Sequence, residues 1–297
     1  MNTSSNNTPE SSITTGVSSP GYNSSSTQPF YWSVRRELWE NRSIYVAPLI
    51  VAVVALFGFL VSTIGMPERR QGALLLDPAN QRAVIGAPYD VAAMMLIFTA
   101  FIVGVFYCLD ALHSERRDRS ILFWKSLPVS DLTTVLSKAT IPLVVLPVII
   151  FAIIVFVQCL AATTWTRFNL FQQSLILLYS LIVIALWHAP IYGWALLISG
   201  WARRATFLWT VLPFLAIGVL EKIAFDTSHF ASMLKGRLFG AGDTAFAFQP
   251  HHGIAITSLI QLTPGRYLAT PGLWIGLAFA AAFVTAAVWQ RRYRGPI

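Results

Sequence analysis

The recurrence of long, unbroken apolar runs limits this chain more than any other feature. Six runs, at about 44–65, 91–112, 140–162, 174–200, 206–225 and 271–290, each approach the roughly 20 residues that an α-helix needs to cross a hydrocarbon core about 30 Å thick. Inside that core every backbone N–H and C=O must find its partner in the protein, so only helices and closed barrels span it. The runs are continuously apolar rather than alternating, which argues against a barrel. Charged residues are 11% of the 297 and hydrophobic ones 55%, against roughly 25% charged in a soluble domain. The expected fold is an all-α integral membrane domain over 43–297 with six transmembrane helices, the fourth kinked where Pro190 and Gly193 fall.

Short inner loops carry an excess of Lys and Arg, and the loops here divide unevenly. Thirteen cations fall on one side: Arg35, Arg36, Arg42, Arg116, Arg117, Arg119, Lys125, Lys138, Arg203, Arg204, Arg291, Arg292 and Arg294. Seven fall on the other: Arg69, Arg70, Arg82, Arg167, Lys235, Arg237 and Arg266. The first side is expected to be cytoplasmic, with both termini inside and a long outer loop over 226–270. The net charge of +8 is thereby a topological bias and an attraction to anionic lipid, and it carries no nucleic-acid inference.

Residues 1–29 are mostly Ser, Thr, Asn, Gly and Pro. Such a segment cannot bury enough apolar surface to fold, so a disordered cytoplasmic tail is expected, and it has no apolar centre of the signal-peptide kind. A sequon such as Asn23-Ser24-Ser25 on that side is a chance match. Cys108 and Cys159 both fall within spans, where packing accounts for them better than a disulfide or metal.

Residues 30–42 place Tyr31, Val34 and Leu38 on one helical stripe and Arg35, Arg36 and Glu40 largely elsewhere. This reads as an amphipathic interfacial helix with its aromatics at headgroup depth; a simple extension of the first span is the alternative. Between the second and third spans, residues 113–139 read as helix, bend, helix. Glu115 to Lys125 is helix-compatible, Leu127-Pro128 interrupts, and Ser130 or Asp131 caps a helix running through Leu136 and Lys138 into the third span. Phe123 and Trp124 beside Arg119 and Lys125 have the composition of an interaction hot spot. An ordinary inner loop with its aromatics in the headgroups fits the same residues.

The order Glu115-Arg116, then Ser120-Ile121-Leu122-Phe123-Trp124-Lys125-Ser126-Leu127-Pro128-Val129-Ser130-Asp131, then Val135-Leu136-Ser137-Lys138 resembles the cytoplasmic loop of ABC exporter permeases of the type-2 class. The resemblance extends to an amphipathic first helix, six spans, inner termini and a long outer segment before the last span. It implies the transmembrane subunit of an exporter in the inner membrane of a prokaryote, paired as a homodimer or with a related permease, and served by a separately encoded ATPase. The loop would be the coupling helix, with Glu115, Arg116, Phe123, Trp124, Lys125 and Pro128 as contact or transmission positions. The chain has no Gly-x-x-x-x-Gly-Lys-Ser/Thr loop, so it is expected to bind no cofactor itself and to hydrolyse no ATP, with ATP and Mg used by the partner. The resemblance also implies short re-entrant helices within 226–270, with which Gly236, Gly240, Gly242 and Pro250 are compatible; a plain folded loop fits equally.

Polar groups within spans are costly and often functional. Asp110 is expected to pair with Arg116 or Arg117. Gln158, His188 and Glu221 are candidates for a translocation path, and Glu221, Lys222 and His188 would serve an ATPase-independent secondary transporter, the alternative function. An intramembrane hydrolase built on Ser199, His188 and Glu221 lacks any motif. His251-His252 without a third ligand is a weak metal signal. Trp187, Trp194, Trp201 and Trp209 read as packing and interfacial aromatics. Apolar, aromatic-rich spans suit an amphiphilic cargo such as a lipid, a peptide or a hydrophobic drug.

Overall fold

A computed structural model describes residues 27–64, 78–118, 120, 129–162, 170–247 and 259–293. The described residues are helical with no strand, apart from one isolated bridge between Phe246 and Leu262. The helices are α1 (Thr27–Glu40), α2 (Ser43–Ile64), α3 (Pro78–Ala111), α4 (His113–Arg117), α5 (Asp131–Thr140), α6 (Leu146–Ala162), α7 (Leu170–Trp201), α8 (Thr206–Phe225), α9 (His229–Phe239), α10 (Ala241–Ala245), α11 (Pro264–Leu268) and α12 (Pro271–Tyr293). Five are long and apolar enough to cross a membrane, and α1 with α2 forms a sixth candidate bent by 54° at the break between them.

Several boundaries depart from the sequence reading. Helix α1 takes in Thr27, Gln28 and Pro29, which composition assigned to the tail. Helix α3 starts at Pro78 rather than Val91, with proline at the first helical position, where its missing N–H costs nothing. The third span is continuous from Asp131, because α5 passes into α6 through a π-helical turn, Ile141–Val145, that accommodates Pro142. Ser130 caps α5 as its sequence position predicts, its Oγ accepting from the Thr133 amide at 3.0 Å. Helix α7 runs unbroken through Pro190. Gly193 there serves close packing, since a Cβ would lie 3.2 Å from the Ala280 carbonyl of α12.

Helices α7 and α12 form the most extensive pair in the bundle. At one end of it α1, α4, α5, α7, α8 and α12 converge, joined by Lys138 to Glu37, Arg116 to Gly200, Arg291 to Glu115 and Trp201 to Trp209. We call this the charged end.

At the opposite end the chain folds back into the bundle. Leu238 in α9 faces His188 of α7, while Ala245 at the close of α10 faces Tyr179. At a rise of 1.5 Å per residue these levels stand about 20 Å and about 33 Å along α7 from Trp201. Helix α9 therefore descends beside α7 and α10 returns. A core of Val183, Trp187, Ala241, Ala245, Phe246, Tyr267 and Leu273 seals the segment onto α7 and α12.

Candidate functional site

The buried charges gather at the charged end. Leu112 separates α3 from α4, and the Ser199 hydroxyl of α7 accepts from the amides of Leu112 (3.0 Å) and His113 (2.9 Å), satisfying donors freed at the break. Arg116 donates to the Gly200 carbonyl, a cation at the negative end of the α7 dipole. Glu115 is thereby aimed into the bundle.

Its carboxylate collects three cations. Oε1 accepts from Arg36 of α1 at 3.0 Å and meets Lys138 of α5 at 3.1 Å, and Oε2 accepts from Arg291 of α12. Glu37 of α1 accepts from Lys138 at 2.8 Å, Arg36 at 3.1 Å and the Tyr107 hydroxyl at 2.8 Å. Arg291 also donates to Asp131 at 3.1 Å. Glu37, Lys138, Glu115 and Arg291 are 1%, 2%, 6% and 7% exposed. Charges this deep persist only when paired and hydrogen-bonded, because an uncompensated buried ion loses several kcal/mol of solvation. Here Arg36, Lys138 and Arg291 balance Glu37, Glu115 and Asp131, with Glu40 bound to Arg36 at the rim.

Arg291 bridges the two roots of the segment between α4 and α5, holding Glu115 before it and Asp131 after it. Among the positions named from sequence, Glu115 and Arg116 are buried here, whereas Phe123, Trp124, Lys125 and Pro128 lie outside the described residues. Glu37, Tyr107 and Arg291 were missed. One signal pointed to Glu37 and Arg291, because carboxylates and cations bordering apolar runs must find each other on folding; Tyr107, inside a run, carried none. Asp110 is exposed and forms no ion pair among the described residues; Arg117 takes Asp118 instead.

The remaining candidates are scattered. Gln158 is buried in α6. Glu221, in the last part of α8, caps the start of α9, accepting from the Thr227 hydroxyl and the amides of His229 and Phe230 at 2.7 to 2.8 Å, while Lys222 pairs with Asp226. Both ring nitrogens of His188 face carbonyls, Ile184 at 2.8 Å and Leu238 at 3.1 Å. Ser199 and His188 thus have separate partners, and no hydrogen bond among the described residues joins Gln158, His188 and Glu221. Arg237 of α9 stacks over Trp187 at 4.6 Å and donates to the Gly272 carbonyl at 3.0 Å. Gly276 is what admits that guanidinium, since a Cβ there would collide with it. Burial lowers the Arg237 pKa and pushes the Tyr267 phenol up to about 12. Among the described residues no three His, Cys, Asp or Glu side chains converge as metal ligands; His251 and His252 lie outside them.

Compared with family models, curated proteins and solved structures, the chain matches none. Its long apolar helices, packed as a bundle with one charged end, define a multi-pass α-helical membrane protein.

Proposed function

We propose that the chain is the transmembrane permease subunit of an ATP-driven exporter of the type-2 ABC class, with the charged end cytoplasmic and residues 113–139 as its contact with a separately encoded ATPase. The observation that carries this reading is the bridge made by Arg291 between Glu115 and Asp131. A push on the intervening segment passes through those carboxylates to α12, through Lys138 to the third span and through Arg36 and Glu37 to α1. Packed elements joined in this way shift as units between discrete states. ATP-driven closure of the partner would bias the spans from inward-facing to outward-facing, a population shift toward the state the partner favours.

The permease works as a homodimer or beside a related permease in the inner membrane of a prokaryote. ATP and Mg belong to the partner, and the cargo is an amphiphile suited to apolar, aromatic-rich helices. Replacing Phe123 and Trp124 by Ala is expected to weaken attachment of the ATPase at least tenfold, in keeping with loss of two hot-spot aromatics, while membrane insertion is unchanged. Pull-down from detergent-solubilised membranes measures it. Attachment as tight as in the unaltered chain would overturn the contact assignment.

A further inference from the structure

Helix α1 has two faces of opposite chemistry. Val34 and Leu38 pack into the core and Glu37 enters the buried cluster. The outward face carries Trp32, Arg35 and Trp39, continued by Arg42 in the turn that follows, all exposed. The spacing of three and four residues aligns Trp32, Arg35 and Trp39 in one stripe of α1, and Arg42 follows three residues beyond Trp39. The guanidinium carbon of Arg35 lies 5.1 Å from the Trp32 ring centre and 5.2 Å from that of Trp39. Stacking against indoles occupies the faces of a guanidinium and leaves the N–H donors at its edge free.

Those donors have no taker among the described residues. Among the described residues neither Arg35 nor Arg42 forms an ion pair or a side-chain hydrogen bond. The contrast with the next residue is sharp, since Arg36 binds Glu37, Glu40 and Glu115. Trp32 and Trp39 are 58% and 71% exposed, and headgroup depth is where an indole finds apolar and polar contacts together. The bend of 54° turns α1 away from the line of α2, so that it can lie along the surface of the membrane.

We propose that the outward face of α1 is a binding site for an anionic phospholipid in the leaflet at the charged end. The phosphodiester meets the free edge of Arg35 and the Arg42 guanidinium, while Trp32 and Trp39 seat beside the glycerol. A zwitterionic headgroup is disfavoured because its ammonium group would meet two cations, and Glu40, the exposed carboxylate of α1, is already engaged by Arg36. The lipid held there sits on the helix that delivers Arg36 and Glu37 to the buried cluster.

The test uses the full chain without any partner, in nanodiscs of phosphatidylcholine with graded phosphatidylglycerol, so it stands apart from the ATPase proposal. Native mass spectrometry counts the lipids retained on release. About thirtyfold preference for phosphatidylglycerol is expected, since each of the two basic residues near the surface contributes about 1 kcal/mol. R35Q/R42Q abolishes the preference, R35K/R42K keeps part of it, and R203Q/R204Q, at the exposed pair between α7 and α8, leaves it intact. Thermal melting in pure phosphatidylcholine should match across all variants, because the altered side chains face away from the bundle. An unaltered preference in R35Q/R42Q would overturn the site, and so would an equal loss in R203Q/R204Q, which would mark diffuse surface charge.

Discussion

The two ends of the bundle are joined by different chemistry. At the charged end, residues as far apart as Glu37, Glu115, Lys138 and Arg291 meet through shared carboxylates and cations. At the opposite end the long-range bonds run from single side chains to main-chain carbonyls: Tyr267 to Val183, Arg237 to Gly272 and Tyr179 to Ala245. Removing a neutral donor at the opposite end leaves one carbonyl to find another partner. Removing one member of the ion cluster strands several charges away from water. The charged end should therefore respond as a unit, and the opposite end bond by bond.

The largest effect is expected at Glu115. Glu115→Ala leaves Arg36, Lys138 and Arg291 sharing fewer buried carboxylates, and should destabilise the protein by about 3–5 kcal/mol, measured by equilibrium unfolding in detergent micelles. Combining it with Arg291→Met removes a cation together with its acceptor, so the double variant should lose clearly less than the sum of the two single losses. Strict additivity would mean that the cluster does not act as a unit.

A matched pair of tyrosines sharpens the comparison on a smaller scale. Tyr107 donates to the ionised carboxylate of Glu37, whereas Tyr267 donates to a neutral carbonyl. Tyr107→Phe is expected to cost about 1.5–3 kcal/mol and Tyr267→Phe about 0.5–1.5 kcal/mol. Equal losses in the same unfolding assay would erase the distinction between the ends.

What the sequence made legible follows the same division. Contiguous hydrophobicity located the apolar helices, and α8 and α12 lie where their runs predicted, because span length is a property of neighbouring residues. Ser130 was legible as a cap for the same reason. The buried cluster was not, since Glu115 and Arg291 are separated by 176 positions and no periodicity encodes such a pairing. Glu115 was singled out through a family resemblance, as a contact position, while its partner Lys138 was read only as the residue leading into the third span and Glu37, which shares Lys138 with it, was not singled out. The stripe of α1 was misread at Tyr31, which is 60% exposed although Val34 and Leu38 turn inward. Both faces of α1 carry apolar groups, and what selects the inward one is Glu37, whose partner Lys138 stands on another helix.

The central claim is that the cluster at the charged end transmits force from an ATP-hydrolysing partner. The most direct measurement is gentle purification of the tagged chain from its native host, with mass spectrometry and stoichiometry of what accompanies it. The account predicts an ATPase with a phosphate-binding loop at one copy per permease. An intact, folded permease that reproducibly carries no such partner would contradict it.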